Sequence, residues 1–262
     1  MFQFYSLCSG STGNCSIIQT EHTKILVDAG ESAKKIAESL DQLRIDPEQI
    51  DGILITHEHS DHIKGLGTFS KKYHIPVYAN DETWNAMPTQ REKIDIENRK
   101  HILFSEFEIG DFKILPFSIP HDAANPCGFN ISYKNKKMSI ATDIGHMNER
   151  IINHLSNSSF ILLEANYDRE ILKCSSYPYP LKQRISGPNG HLSNDMAGKT
   201  ISYLLNSGLN NVMLGHLSKE NNFPELAYKT VVEQLMQNHL DENSLHLSVA
   251  NRYEISPVVN VV

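Results

Sequence analysis

The stretch Ile53-Leu54-Ile55-Thr56-His57-Glu58-His59-Ser60-Asp61-His62 decides how the rest of this 262-residue chain is read. An apolar run, taken as a strand over Gly52–Ile55, passes directly into four side chains of metal-binding type: His57, His59, Asp61 and His62. His57 and His59 alternate, so in extended backbone both imidazoles face one point. Asp61 and His62 follow at once and face a second point nearby. Imidazole nitrogens and carboxylate oxygens suit zinc or manganese, and iron is also compatible. Two such ions about 3.5–4 Å apart form a hydrolytic centre of the two-metal kind. With 13 histidines in the chain, a chance H-x-H-x-D-H arises on the order of once in a thousand such sequences. A surface turn merely rich in histidine is a poor explanation.

The same pattern, a strand and then a ligand type, recurs downstream. Phe112–Phe117 precedes Pro120-His121-Asp122, and Met138–Thr142 runs into Asp143-Ile144-Gly145-His146. Val212–Leu214 precedes Gly215-His216-Leu217-Ser218. His121, Asp143 and His216 join the candidate ligands, whereas His146 reads as a turn residue with no assigned role. Asp28, at the end of Ile25–Val27 and before Gly30, reads equally well as a support for the ligands or as a turn residue. The loop Cys8-Ser9-Gly10-Ser11-Thr12-Gly13-Asn14-Cys15 has the composition of an anion nest. Taken alone it is more simply a hairpin turn.

Helices are read over Ser32–Leu43 with Ser32 as cap, over Ile63–Tyr73, and from Asp81 as cap through Trp84. Another starts after Ser193, with Ala197, Ile201, Leu204 and Leu205 as its apolar face, and a last one spans Leu226–Met236. Ile102–Phe104, Phe160–Leu163 and Leu245–Val249 read as strands, and Pro88–Lys100 as loop. Lys134-Asn135-Lys136-Lys137 reads as an exposed basic hairpin turn. Strands alternate with helices and no linker interrupts them, so one α/β domain is expected over 1–262.

Composition narrows the class. Apolar content of 40% and charged content of 21% are those of an ordinary globular protein. No apolar run approaches the roughly 20 residues that span a membrane. Met1-Phe2-Gln3-Phe4-Tyr5-Ser6 lacks a basic segment before an apolar one, so no signal peptide is expected. Cys8, Cys15, Cys127 and Cys174 are scattered, as reduced thiols of a cytoplasmic protein are. A net charge of −7 argues against a wholly basic nucleic-acid surface and leaves room for a local basic groove. Two divalent cations would add four positive charges that this count omits.

These residues resemble the metallo-β-lactamase superfamily. The resemblance rests on T-H-E-H-S-D-H at Thr56–His62, P-H-D at Pro120–Asp122, T-D at Thr142–Asp143 and G-H-L-S at Gly215–Ser218, in that order. S-G-S-T-G-N-C at Ser9–Cys15, D-A-G at Asp28–Gly30 and the segment from Glu164 to Asn194 look like its WalJ/YycJ branch. Only Pro88–Lys100 and the C-terminal tail match less well. The resemblance implies a four-layer αββα sandwich, two mixed β-sheets flanked by helices, with the metal site at one edge. It also implies a cytoplasmic bacterial phosphodiesterase acting on nucleic acid, with 5′-exonuclease activity the known example. Carried over by position, it gives His57, His59 and His121 to one metal and Asp61, His62 and His216 to the other, with Asp143 bridging. His191 is similar in place to a histidine that assists the leaving group in tRNA 3′-processing relatives.

The expected reaction is phosphodiester hydrolysis of nucleic acid by a hydroxide bridging two divalent ions, zinc or manganese, as a 5′-to-3′ exonuclease on DNA. Asp61 and His191 are the expected catalytic residues, with Ser11, Thr12, Asn14, Lys182 and Arg184 holding phosphates. The same ligands serve carbonyl chemistry, so hydrolysis of small phosphodiesters or thioesters in the manner of glyoxalase II is the alternative. A non-catalytic binding module fits poorly, because all seven ligand positions are filled. An exposed apolar face on the last helix leaves room for a homodimer.

Overall fold

The computed structural model describes residues 1–240 and 245–261. One sheet contains β1 (Gln3–Cys8), β2 (Cys15–Gln19), β3 (Lys24–Val27), β4 (Gly52–Leu54), β5 (Val77–Ala79) and β6 (Arg99–His101). The other contains β7 (Phe107–Ile109), β8 (Phe112–Ser118), β9 (Cys127–Tyr133), β10 (Lys136–Ala141), β11 (Phe160–Glu164), β12 (Asn211–Gly215) and β13 (His246–Val249). A last strand, β14 (Val259–Asn260), returns to the first sheet and pairs with β1. The spatial orders are β14-β1-β2-β3-β4-β5-β6 and β13-β12-β11-β10-β9-β8-β7. Both sheets are mixed. Pairing is antiparallel from β14 to β3 and from β7 to β10, and parallel beyond.

Parallel neighbours need crossover connections, and helices supply most of them. In the first half these are α1 (Ala33–Gln42), α2 (Ser60–Ile63), α3 (Leu66–Tyr73), α4 (Asp81–Ala86) and α5 (Pro88–Arg91). In the second they are α6 (Glu149–Leu155), α7 (Arg169–Cys174), α8 (Tyr179–Ser186), α9 (Asn194–Leu204) and α10 (Pro224–Gln237).

Burial explains the layering. Along β4 and just past it, Leu54 points between the sheets while Ile53 and Ile55 point to the helical side. A strand covered on both faces is apolar throughout for this reason. Phe4, Phe112, Phe129, Phe160 and Leu162 fill the space between the sheets. Ile36, Leu40, Phe69 and Trp84 bring α1, α3 and α4 onto the first sheet. Ala197, Ile201, Val231 and Leu235 bring α9 and α10 onto the second. The expected αββα sandwich is present.

Several local expectations change. The helix read over Ile63–Tyr73 is two, α2 and α3, separated at Lys64 and Gly65. A Cβ at Gly65 would lie 2.1 Å from the Glu31 carbonyl oxygen, so the chain turns there against the loop before α1. The strand read over Ile102–Phe104 lies earlier, at Arg99–His101, inside the stretch read as loop. β6 is a polar edge strand whose side chains reach solvent, so hydrophobicity does not mark it. Asn80, not Asp81, caps α4, its Oδ1 accepting from Thr83 N at 2.9 Å. Ser193 precedes α9 without capping it through its side chain, because its hydroxyl donates to Asp195 Oδ1 at 2.7 Å. Within the basic hairpin, Lys137 is half-buried and donates to the carbonyls of His154 and Ser156 at the end of α6. Ser32 caps α1 as read, accepting from Lys35 N at 3.3 Å.

Strand ends from both sheets meet at one edge of the sandwich. β3 ends at Asp28, β4 runs into Thr56 and His57, and β8 leads to His121. β10 leads to Asp143, β11 ends at Glu164, and β12 runs into His216. Ligand sites of α/β sheets lie outside such carboxyl ends.

Candidate metal centre

Two sets of donor atoms converge at this edge. His57, His59 and His121 form one, and Asp61, His62 and His216 the other, each with its donor atoms within 4.8 Å of one another. Asp143 lies between them. Its Oδ2 is 3.3 Å from His62 Nε2, and its Oδ1 is 3.7 Å from His121 Nε2. In the first set, His57 Nε2 lies 3.1 Å from His59 Nδ1, which is 3.3 Å from His121 Nε2. In the second, Asp61 Oδ2 is 3.6 Å from His62 Nε2 and 3.4 Å from His216 Nε2. All seven candidate ligands are therefore together.

Their outer atoms are already engaged, which fixes the tautomers. His62 Nδ1 donates to Asp28 Oδ2 at 2.7 Å, and His121 Nδ1 donates to the Gly190 carbonyl at 2.9 Å. His216 Nδ1 donates to Glu164 Oε1 at 2.9 Å. With Nδ1–H committed outward, each Nε2 presents a lone pair inward. His59 Nδ1 lies 3.1 Å from His57 Nε2 and 3.3 Å from His121 Nε2 and can donate to only one of them, so three ring nitrogens crowd one point as the ligands of a cation do. The buried Asp143 Oδ2 has no hydrogen-bond partner. An unpaired acceptor and converging lone pairs fit two divalent ions with nitrogen and oxygen ligands.

The electrostatics agree. Burial, followed by neighbouring histidines, pushes His57 well below the usual imidazole range, so its ring stays neutral. Burial also lowers His121. Burial opposes charge on His216, but Asp143, Asp61 and Glu164 outweigh it and raise its pKa to about 10. Burial works against ionisation of Asp143, yet the surrounding histidines hold its carboxyl well below the usual range. Asp61 and Glu164 are lowered for the same reason. Without a cation the carboxylates draw a proton onto His62 and His216, positive charge that a divalent ion would displace, while the neutral His57 and His121 offer lone pairs.

Backbone conformation aims these groups. Asp28, Asp143 and His216 have φ of 61°, 60° and 54°. Left-handed backbone is uncommon for residues other than glycine and costs of order 1–3 kcal/mol each. Each residue ends a strand, and the turn directs its side chain toward the shared edge. Gly30 permits the closest approach: a Cβ there would lie 1.7 Å from the Asp61 carbonyl oxygen and 2.6 Å from Asn14 N. That carbonyl accepts from Asn14 N at 2.8 Å. Gly30→Ala should therefore displace the loop carrying Asp61, costing about 1–3 kcal/mol and weakening metal uptake. Denaturant unfolding and metal titration check this; an unchanged midpoint with unchanged affinity contradicts it.

Two supports come into view here. Asp28 holds His62 and also accepts from Thr56 N and Thr56 Oγ1, at 2.9 Å each to its nearer oxygen. Glu164, for which the sequence suggested no role, is fully buried. Its Oε1 accepts from His191 Nδ1 at 2.8 Å as well as from His216, and its Oε2 accepts from Ile144 N and Leu192 N at 2.7 and 3.0 Å. The only signal for Glu164 was a carboxylate at a strand end, the pattern already seen at Asp143.

The remaining candidates divide. His191 sits beside the centre, 5.1 Å from His121 and 5.3 Å from His216 between ring centroids. Arg184 on α8 pairs with Asp122, next to His121. Ser11 and Thr12 are exposed at the tip of a turn closed by Gly13 N donating to Gly10 O. Asn14 is buried and turned inward, its Nδ2 3.2 Å from His62 Nε2 and its Oδ1 accepting from Gly10 N. Lys182 lies farther out, donating to the Lys173 carbonyl. His146 is exposed and joins its loop to the Pro188 carbonyl at 2.8 Å.

Residues 9–192 match the model of the metallo-beta-lactamase superfamily. The chain belongs to the metallo-β-lactamase superfamily. It is 42% identical to the exodeoxyribonuclease WalJ of Streptococcus pneumoniae (strain ATCC BAA-255 / R6) over 240 residues, 90% of this chain and 89% of the relative. It is 37% identical to the exodeoxyribonuclease YycJ of Bacillus anthracis over 235 residues, 88% of each chain. Among solved structures, the metallo-β-lactamase fold protein YhfI of Bacillus subtilis superposes with a TM-score of 0.71 at 15% identity, covering 98% of this chain and 99% of the other. Human tRNase Z, short form, gives 0.68 at 16% identity, covering 99% of each. These two show a shared superfamily fold.

Proposed function

We propose that this protein is a metal-dependent exodeoxyribonuclease, hydrolysing phosphodiester bonds of DNA from the 5′ end. The observation that carries the reading is the double set of converging donors with Asp143 between them and His191 alongside. The identity to two exodeoxyribonucleases over about nine-tenths of the chain supports the substrate class.

His57, His59 and His121 would hold one divalent ion, Asp61, His62 and His216 the second, and Asp143 both. When bound, such ions lower the pKa of water and neutralise charge on phosphoryl oxygens. The chain's own groups do the rest. Glu164 accepts from His191 Nδ1 at 2.8 Å and so fixes the ring, leaving Nε2 as the atom that would pass a proton to the leaving oxygen. General acid help of this kind is worth about 10²–10⁴ in rate. Arg184, held by Asp122, and Lys182 supply positive charge for flanking phosphates, and the exposed hydroxyls of Ser11 and Thr12 supply donors. Residues 1–262 are read as one domain working in the cytoplasm, with zinc or manganese as the ion. Among the described residues, no helix is long and apolar enough to cross a membrane. Exposed Tyr228 and Met236 on α10 offer a surface for a second copy.

The test is digestion of 5′-labelled and 3′-labelled strands of DNA and RNA after reconstitution with Mn²⁺ or Zn²⁺. Mononucleotides released from the 5′ end of DNA are expected. A metal-loaded protein that cleaves no strand, but hydrolyses small phosphodiesters or thioesters, overturns the nuclease reading.

A further inference from the structure

Beside the metal centre, α7 and α8 enclose an open cavity of 690 Å³. Three tyrosines, Tyr167, Tyr177 and Tyr179, and three cations, Arg169, Lys173 and Lys182, line it. No carboxylate among the described residues lines it, although Arg169 pairs with Asp195 at 2.7 Å and Lys173 with Glu170 at 3.8 Å, which leaves Lys182 as the cation without a carboxylate partner among the described residues. In a chain of net charge −7, a lining of three aromatic and three cationic side chains, with Leu172, Gln183 and Ser186 beside them, suits an anion with a flat apolar part. Tyr179 is 72% exposed, more than a side chain placed only for packing requires. Its hydroxyl accepts from Gln183 Nε2 at 3.0 Å, which steadies the ring at the mouth. Lys182 Nζ donates to the Lys173 carbonyl at 2.7 Å, so its ammonium is placed across the cavity with two donors left for a ligand.

The cavity is coupled to the centre by α8 and by the end of β11. Arg184 and Ile185 of α8 face the site: Arg184 pairs with Asp122, and the Ile185 carbonyl accepts from His191 N at 2.8 Å. Lys182, Gln183 and Ser186 of the same helix face the cavity. Tyr167 forms its wall three residues after Glu164 and is bridged to Ser193. One helix therefore separates the two, a width of about 10–12 Å.

We infer that this cavity binds a nucleotide of single-stranded DNA flanking the bond being cut, on the far side of α8 from the metal centre. A base stacks on Tyr179 and Tyr177, and the neighbouring phosphates lie against Lys182, Lys173 and Arg169. Base stacking on aromatic side chains is sequence-tolerant, and cations along the groove track the backbone. This inference rests on the nuclease reading, and it adds a grip on the strand away from the reacting atoms.

The experiment compares wild type, Tyr179→Ala and Tyr179→Phe as metal-loaded proteins. Each is assayed on bis(p-nitrophenyl) phosphate, too small to reach the cavity, and on a short oligothymidylate strand, whose binding is also followed by fluorescence anisotropy. Tyr179→Ala should raise the KM and Kd for the strand by about tenfold to a hundredfold, with turnover of the small diester unchanged. Tyr179→Phe, which keeps the ring, should restore strand binding. Equal KM and Kd for wild type and Tyr179→Ala overturn the cavity assignment and leave the nuclease reading standing. Tyrosine-dependent strand binding without cleavage supports the cavity and overturns the nuclease reading. A wild type that neither binds nor cleaves the strand overturns both.

Discussion

Asp61→Ala is expected to abolish phosphodiester hydrolysis, by about 10³-fold or more in kcat/KM, with the fold retained. The carboxylate is one of three side-chain donors to the second metal set, and its removal takes away several kcal/mol of charge stabilisation. At about 1.4 kcal/mol per factor of ten, that is three decades or more. The fold should survive because the backbone of Asp61 does the structural part: its carbonyl accepts from Asn14 N at 2.8 Å whatever the side chain. Its side chain is 21% exposed and belongs to no apolar cluster. Steady-state rates and a melting curve on the same sample check both halves. Activity near the wild-type level contradicts the ligand assignment. Asp61→Asn, which keeps the shape, serves as the second variant should the alanine protein unfold.

The second large effect concerns Glu164. Glu164→Gln is expected to destabilise the protein by about 3–5 kcal/mol, as breaking a buried charge pair does. Metal affinity should fall by about 10–100-fold, the usual loss when a group behind a ligand is changed. The carboxylate receives four hydrogen bonds, two on each oxygen. Glutamine keeps one oxygen and turns an amide N–H₂ toward donors, so either the two histidines or two backbone N–H groups lose their acceptor. If the histidines lose it, His216 is free to turn its lone pair away from the metal, and His191 loses the partner that orients its ring. Urea unfolding and competitive metal titration measure the two losses separately. Unchanged midpoint and affinity would show that Glu164 is a bystander.

How far the sequence reveals the site depends on where each residue lies. His57, His59, Asp61 and His62 are contiguous and follow an apolar strand, so local pattern shows them. His121, Asp143 and His216 lie far apart, but each stands just past a strand, where the fold gathers functional groups. Glu164 occupies the same kind of position and remained without a role, because nothing in sequence says that two histidine rings will turn their Nδ1 atoms toward it. The left-handed φ of His216 is equally hidden, since that conformation is imposed by the strand ends around it. Polar edge strand β6 was displaced for a related reason: its side chains face solvent, so Arg99–His101 carries no apolar alternation. Buried strands such as β4 and β11 gave their positions through continuous apolar runs.

The cavity between α7 and α8 marks a different limit. Pro178, Pro180 and Pro188 suggest an irregular segment where the structure has α8, and although Lys182 is read as a phosphate contact, nothing in sequence assigns Tyr177 or Tyr179 a role. Their meaning lies in the packing that sets the tyrosines opposite Arg169 and Lys173, and helical period alone does not place residues from two helices around one space.

The number of divalent ions bound per chain tests the two-set centre most directly. Stripped protein should take up two equivalents of Mn²⁺ or Zn²⁺ in equilibrium titration, with hydrolysis appearing only as the second site fills. Asp61→Ala should take up the first equivalent with wild-type affinity and the second only weakly. A wild-type protein that saturates at one ion, or hydrolyses phosphodiesters fully with one, contradicts it.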